Sequence, residues 1–298
     1  MSQILKIGYF ADGPWSHNAL DKILMDDQMS VQFICARFEN PDSVLQKKAS
    51  INDIPFFVEK NVNSDNFLDL INKFGCNVLV SMSFNQIFKK SILSLAPMGI
   101  INCHAGKLPF YRGRNILNWA LINDEQEFGV TVHYVDEGID TGDIILQETY
   151  PITDNDNYLS LLNRSHSHCA NVLYSALQKL VTGNSLRQKQ SDIHPFGFYC
   201  SQRKEGDEIL NWNKPSRQIF NFVRAICDPG PQARSLINDV EVKINKVDFI
   251  HDASSYIGKP GAILQRDING FIVKTSDSFV RVVDWSSSVR LKVGDVFV

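Results

Sequence analysis

Ile4-Leu5-Lys6-Ile7-Gly8-Tyr9-Phe10 is an apolar run with a glycine inside it. It is followed by Ala11-Asp12-Gly13-Pro14-Trp15-Ser16-His17 and then by Ala19, Leu20, Ile23 and Leu24 at helical spacing. That order reads as strand, loop, helix. The signal repeats outward from it: Val31 to Ala36 and Pro55 to Val58 read as strands, and Phe67, Leu68, Leu70, Ile71 and Phe74 as a helix before the strand Asn77 to Ser81. Strands alternating with helices predict an α/β fold, a mostly parallel sheet wrapped by helices. Gly99 to His104 continues the pattern as a strand, Ile116 to Ile122 has helical spacing, Val130 to Val135 is a strand, and Asn157 to Leu180 is again helical. The polar stretch from Thr182 to Ser191 reads as an exposed exit from this first domain.

Beyond about residue 200 the texture changes. One helix, Ser216 to Ala225, precedes short alternating runs at Val240 to Val247, Gly261 to Leu264, Gly270 to Thr275 and Val280 to Val283. Short strands separated by Gly, Asp and Asn suggest a small β-barrel or sandwich. Two domains are therefore expected, 1–195 and 205–298, which suits 298 residues of which 44% are hydrophobic and 21% charged. Thirty basic against thirty-three acidic residues give a formal net charge of -3, and the isoelectric point is about 6.2. That balance lacks the basic excess expected of a chain that grips nucleic acid. The N-terminal residues do not read as a signal peptide, no run approaches a membrane span, and six scattered cysteines form no framework. A cytoplasmic protein without a membrane partner is the expectation.

Chemistry concentrates between residues 101 and 143. In Ile101-Asn102-Cys103-His104 the alternation of a strand turns Asn102 and His104 the same way, near the carboxyl end where open α/β sheets place ligands. An amide can stabilise an oxyanion while a neutral imidazole takes a proton from an attacking amine or water. From these residues alone, a loop-capping Asn102 and a structural His104 remain open. Downstream, Gly129 to Tyr134 leads into the acidic loop Val135-Asp136-Glu137-Gly138-Ile139-Asp140-Thr141-Gly142-Asp143. Asp140 could orient His104, and the loop reads equally as a divalent-metal site or a solvated turn.

Asn102-x-His104, the following Leu108-Pro109-x-Tyr111-Arg112-Gly113, and Asp140-x-Gly142 together resemble the signature of the folate-dependent formyltransferase family. The resemblance implies a Rossmann-like formyltransferase domain, here followed by a smaller, mostly β, OB-like barrel domain. It implies Asn102, His104 and Asp140 as the catalytic trio and N10-formyltetrahydrofolate as donor, with no metal. The donor's pterin would be held by Ser83, Phe84, Asn85 and Ile87 and by Asp136 and Gly138.

Tyr111-Arg112-Gly113-Arg114-Asn115-Ile116-Leu117-Asn118-Trp119 is similar to the corresponding stretch of formyltransferases that act on nucleotide-linked amino sugars. Trp212-x-Lys214-Pro215 through Asp228-Pro229 resembles the enzymes that act on a UDP-linked aminoarabinose, but Gly230-Pro231-Gln232-Ala233 departs from their pattern. The resemblance thus implies a nucleotide-linked, dTDP- or UDP-, amino-dideoxy sugar as acceptor, in surface polysaccharide biosynthesis. Tyr111, Arg112, Arg114 and Asn115 would lie on that acceptor's side. The loop Asp12-Gly13-Pro14-Trp15-Ser16-His17 follows the first strand, a usual place for a nucleotide. Asp12, Gly13, Trp15 and His17 are its candidates there, beside the alternative of a buried tryptophan and a helix-capping Ser16. The alternatives are a methionyl-tRNA formyltransferase and a noncatalytic folate or nucleotide-sugar binder. His166-Ser167-His168 reads as a polar helix face, and Phe196, Phe198 and Tyr199 as packing residues. Relatives in the family are often dimers, so a homodimer is an expectation.

Overall fold

In the computed structural model, residues 4–298 are described; Met1-Ser2-Gln3, the start of the segment read for a leader, lies outside them. The chain runs β1 (Leu5–Ala11), α1 (Gly13–Leu24), β2 (Met29–Ala36), α2 (Ser43–Ile51), β3 (Phe56–Val58), α3 (Asp65–Asn72), β4 (Val78–Met82), α4 (Lys90–Leu93) and β5 (Ile100–His104). It continues with β6 (Arg112–Gly113), α5 (Ile116–Ile122), β7 (Glu127–Tyr134), β8 (Ile144–Pro151), α6 (Tyr158–Val181), α7 (Gln190–Ile193), β9 (Tyr199–Cys200), α8 (Ser216–Ile226) and β10 (Ala233–Ile237). It ends with β11 (Val240–Phe249), β12 (Ile263–Asp267), β13 (Gly270–Lys274) and β14 (Phe279–Ser287). Among the described residues two compact units result, one of residues 4–113, 128–150 and 163–199, the other of 114–127, 151–162 and 200–298.

The first unit is Rossmann-like, built on a seven-stranded sheet in the order β3-β2-β1-β4-β5-β7-β8. The pairs from β3 to β5 are parallel, and β7 joins β5 antiparallel. The apolar run of β1 is buried at every position but Lys6, as a central strand covered on both faces must be. Phe10 packs edge-on against Phe33, Phe67, Phe84 and Phe88, and such pairs add ~0.5–1.5 kcal/mol each beyond their burial. Strand order reverses between β1 and β4, so the loops after both open at the same edge of the sheet. Helix α1 begins at Gly13, so most of the expected loop is helix. Ser16 lies buried inside its first turn, its hydroxyl donating to the Gly13 carbonyl at 2.8 Å, and does not cap.

The second unit holds a five-stranded antiparallel sheet, β10-β11-β14-β13-β12. Its two edges are bridged by the C-terminal residues: Val298 exchanges backbone hydrogen bonds with Leu236 of β10, and Phe297 N donates to Gly261 O just before β12. Asp277 anchors α8 by accepting from Ser216 N at 2.8 Å and Ser216 Oγ at 3.1 Å. Segments 114–127 and 151–162 belong here because α8 holds them. Arg217 Nε donates to Asp124 at 3.0 Å and its Nη1 to Asp154 at 2.7 Å, while Arg224 Nη1 donates to the Thr153 carbonyl at 2.7 Å. Strand β10 carries no clear alternation in its sequence because Ser235 faces inward, where its hydroxyl accepts from Trp212 Nε1 at 3.0 Å. Among the described residues no helix is long and apolar enough to cross a membrane.

Candidate active site

Strand β5 sets the site. Its pairing with β7 places Asn102 opposite His133 and His104 opposite Thr131, so cross-strand neighbours of one face bring four polar side chains together. Cys103 turns to the other face, where its thiol lies 3.5 Å from the Cys169 carbonyl of α6. Burial raises the Cys169 thiol well above its ordinary value, with Cys103 adding to the effect.

The loop after β7 brings Asp140 over this face. One carboxylate oxygen accepts from Gly113 N at 2.9 Å and stands 3.7 Å from His104 Nδ1; the other is 3.5 Å from His133 Nε2. Burial works to raise the Asp140 carboxyl, but His104, His133 and the Gly113 N–H together outweigh it and hold the group well below the usual carboxylate range. Asp140 is therefore a carboxylate wherever a histidine beside it can carry a proton. Gly142 follows because the chain must turn back against Tyr134: a Cβ there would overlap the Tyr134 carbonyl.

His104 is 8% exposed. Its Nε2 lies 2.7 Å from the Tyr111 carbonyl, which accepts only, so the partners assign the ring hydrogen to Nε2 and leave Nδ1 toward Asp140. By the same reasoning His133 Nδ1 donates to the Tyr134 carbonyl at 2.8 Å, and its Nε2 is shared between Asp140 and Asn102 Nδ2, 3.3 Å away. Gly106 underlies the His104 contact, since a Cβ at that position would strike both His104 Nε2 and the Tyr111 carbonyl. The constellation can stabilise charge on an oxygen near the Asn102 amide and move a proton at His104.

Of the residues expected around the acceptor, Tyr111 is buried against Phe198, with ring centroids 4.9 Å apart. Arg112 is turned inward to Gln190. Arg114 and Asn115 fall in the second unit, where Arg114 Nη1 donates to Gln202 Oε1 at 3.2 Å and Asn115 Oδ1 accepts from Arg203 N at 2.9 Å. The first loop is more heavily engaged than its letters suggest. Asp42 accepts from Gly13 N at 2.8 Å and sits 2.7 Å from His17 Nε2, so a carboxylate occupies the helix start expected for phosphate. Burial raises the Asp12 carboxyl, an effect its 3.2 Å pairing with Arg37 only partly offsets. Arg37 in turn donates to the Ser83 carbonyl at 2.9 Å, tying together the ends of β1, β2 and β4. Trp15 packs edge-on against His166, with centroids 4.6 Å apart.

In the loops expected for the donor, several polar atoms are already engaged within the protein. Gln86 donates to Glu59 O and accepts from Val62 N, and Asp136 accepts from Gly138 N and Thr141 Oγ1. Phe84 stacks on Phe88, and Asn85 stays exposed. Ile87 and Ile139 are left 69% and 54% exposed.

The sequence profile described as "Formyl transferase" matches residues 19–177, more than half of the chain, and its C-terminal-domain counterpart matches residues 203–290. The chain belongs to the formyl transferase family. Among similar proteins, the methionyl-tRNA formyltransferase of Pelotomaculum thermopropionicum is 31% identical over 261 residues, covering 87% of this chain and 82% of that one. The fold matches WlaRD, a sugar 3N-formyl transferase solved with dTDP and 5-N-formyl-THF. That match has TM-score 0.70 and 24% identity, over 97% of this chain and 100% of that one. It also matches the Helicobacter canadensis N-formyltransferase in complex with folinic acid and dTDP-3-aminofucose, at TM-score 0.66 and 23% identity over 95% and 100% of the two chains.

In this formyltransferase, sequence reading missed His133, Gln190, Arg37, Asp42 and Gly106. A signal existed for His133, because Thr131 and His133 alternate along a strand as Asn102 and His104 do. For Gln190 there was none. It sits in the polar stretch expected to be an exposed exit, and most of that stretch is exposed, but the backbone of Gln188 pairs with Ile144 and the Gln190 side chain is buried.

Proposed function

We propose that this enzyme moves a formyl group from N10-formyltetrahydrofolate to the amine of a nucleotide-linked amino-deoxy sugar, giving a formamido sugar and tetrahydrofolate. The observation that carries the chemistry is the convergence of Asn102, His104 and Asp140 on one face of the β5–β7 pair. When bound, the folate supplies an activated formyl carbon. Ile87 and Ile139, uncovered in the two loops assigned to it, fit a flat ring system that would bury them.

The neutral amine attacks the formyl carbon, and the Asn102 amide N–H stabilises the oxyanion that forms. His104 accepts the proton released from the amine. For Nε2 to do so, its hydrogen must first pass to Nδ1, the tautomer that the Asp140 carboxylate favours, and the contact with the Tyr111 carbonyl must open. Asp140 then balances the imidazolium. As the tetrahedral intermediate collapses and the bond between the formyl carbon and N10 breaks, that proton passes on to N10, which leaves as tetrahydrofolate.

For the acceptor, the support is the Tyr111 to Trp119 stretch and the net charge of -3. A sugar nucleotide brings two phosphates, whereas a tRNA stem asks for many cationic contacts. A second reading, formylation of charged initiator tRNA, is favoured by the curated relatives at 30–31% identity, which are methionyl-tRNA formyltransferases. The test is tetrahydrofolate release, followed by absorbance, with dTDP- and UDP-linked aminodideoxyhexoses, with methionyl-tRNA, and with no acceptor. Turnover that requires the nucleotide sugar is expected. Turnover confined to the charged tRNA would overturn the acceptor assignment and leave the trio standing.

A further inference from the structure

We infer that Gln190 is a positioning residue of the formyl-transfer site, and that Arg112 is its anchor rather than a ligand of the acceptor. This deepens the proposed function and rests on Asp140 serving as the carboxylate partner of His104.

Gln190 opens the four-residue helix α7. Its neighbours Lys189 and Ser191 are exposed, yet its own side chain is withdrawn from solvent and the residue is 4% exposed. Both halves of the amide are in use. Nε2 donates to the Asp140 carbonyl at 2.9 Å and to the Gly142 carbonyl at 2.8 Å, and Oε1 accepts from Arg112 Nε at 3.1 Å and Nη2 at 2.6 Å. A carboxamide has two N–H donors and one oxygen with two lone pairs, so all its capacity is spent here. Glutamate at this position would lose the donors, and asparagine is a methylene too short.

The Asp140 loop has reason to need this clamp. Asp140 has φ +54, a left-handed conformation that costs a side-chain-bearing residue of order 1 kcal/mol and persists only where surroundings enforce it. Gln190 grips the backbone carbonyl of that same residue and of Gly142, while the adjoining Gly113 N–H grips the Asp140 carboxylate. Both grips lead back to Arg112, one through the adjoining Gly113 and the other through the Arg112–Gln190 contact, and the Arg112 backbone N–H is in turn bonded to the Phe198 carbonyl at 3.1 Å. Arg112 is half-buried: its guanidinium lies 5.6 Å from the Tyr199 ring centre, and a Cβ on Gly197 would meet its Cζ at 2.7 Å. The guanidinium is committed to Gln190, transmitting the position of one loop to the other through it. Cutting this brace leaves Asn102 and His104 in place and frees Asp140 to drift from Nδ1 of His104.

The test measures kcat and KM for N10-formyltetrahydrofolate and for whichever nucleotide sugar or charged tRNA supports turnover. It compares wild type, Gln190→Ala, Gln190→Glu, Arg112→Ala, the double variant Gln190→Ala/Arg112→Ala, and Asp140→Asn. Outer partners that orient a functional side chain are worth about 10–100-fold. Gln190→Ala is expected to lower kcat by about that factor with both KM values within about twofold of wild type. Gln190→Glu preserves volume and the Arg112 contact but turns a carboxylate oxygen toward the Asp140 and Gly142 carbonyls, so its kcat is expected to fall at least as far as that of Gln190→Ala, with thermal melting showing it folded. Arg112→Ala is expected to behave alike, and the double variant to be no worse than the worse single change by more than about twofold, since the two residues act as one unit. The inference fails if both Gln190 variants keep wild-type kcat while Asp140→Asn is impaired, an outcome that spares the trio. It fails also if Arg112→Ala raises the acceptor KM at unchanged kcat, which would make Arg112 an acceptor ligand. Full kcat in Asp140→Asn would bring down both this inference and the role of Asp140 in the proposed function.

Discussion

Gly106→Ala tests whether the position of the His104 ring sets the rate. The added methyl would lie 2.5 Å from the Tyr111 carbonyl oxygen and closer still to His104 Nε2. Comfortable contacts between such atoms begin near ~3.5 Å, so ring or carbonyl must retreat by about 1 Å. Neither is the free end of a flexible chain, because Tyr111 is buried and itself has φ +55. The His104 ring, whose Nδ1 lies 3.7 Å from Asp140, is then displaced relative to that carboxylate. A misplacement of about 1 Å in a reacting geometry costs roughly 100-fold in rate, and forcing a methyl group into a packed site costs about 1–3 kcal/mol of stability. Formyl transfer should therefore fall about 100-fold in kcat/KM, while urea unfolding shows a folded protein with a lower midpoint and an unchanged slope. A folded Gly106→Ala enzyme within about twofold of wild-type turnover would refute the reasoning, because it would show that His104 can move this far without consequence.

Asn102→Ala should lower kcat by roughly 10²–10³-fold, the value of one oxyanion donor, with little change in melting temperature; near-normal turnover would remove Asn102 from the oxyanion role. The Asp140 carboxyl is depressed in the folded protein against the pull of its burial, so it stabilises the native state above the unfolded carboxyl value of ~3.9 and loses that contribution as pH falls below it. The stability difference between wild type and Asp140→Asn, from denaturant titrations, should accordingly shrink between about pH 5 and pH 2; a gap that widens there would contradict the charge assignment. Asp42 accepts from the N–H groups of Gly13, Val44 and Leu45, joining the starts of α1 and α2. Asp42→Ala should therefore cost at least the ~0.5–2 kcal/mol of a lost N-cap, and an unchanged urea midpoint would show those contacts to be idle.

Strands β1, β2, β3, β4, β5 and β7 of the first sheet, with α1, α3, α5 and α6, were legible because each follows from a short-range pattern, whereas α2 and β8 were not read as elements. The β1 run is apolar because that strand is covered on both faces, and α3 shows its buried Phe67, Leu68 and Ile71 at helical spacing. Asn102 and His104 were legible as a pair for the same reason, since a strand's period is local. Where function depends on residues far apart in the chain, that reasoning stopped. The direction of β7, which sets His133 opposite Asn102, depends on which strand it pairs with and not on its own letters. The assignment of 114–127 and 151–162 to the second unit depends on the aspartates that meet Arg217. At the start of α1, Gly13 and His17 look free to meet a phosphate until Asp42 is seen to hold both. Gln190 stands furthest from any local signal, a polar residue in a polar stretch whose burial follows from two loops some 50 and 78 residues earlier in the chain. By itself the sequence determined most strand and helix types, the family and the pairing of Asn102 with His104 on one strand face, because these reside in residue type and short spacing. The tertiary structure alone decided how the trio is held, because hydrogen bonds between distant backbone carbonyls and a buried amide leave no periodic trace along the chain.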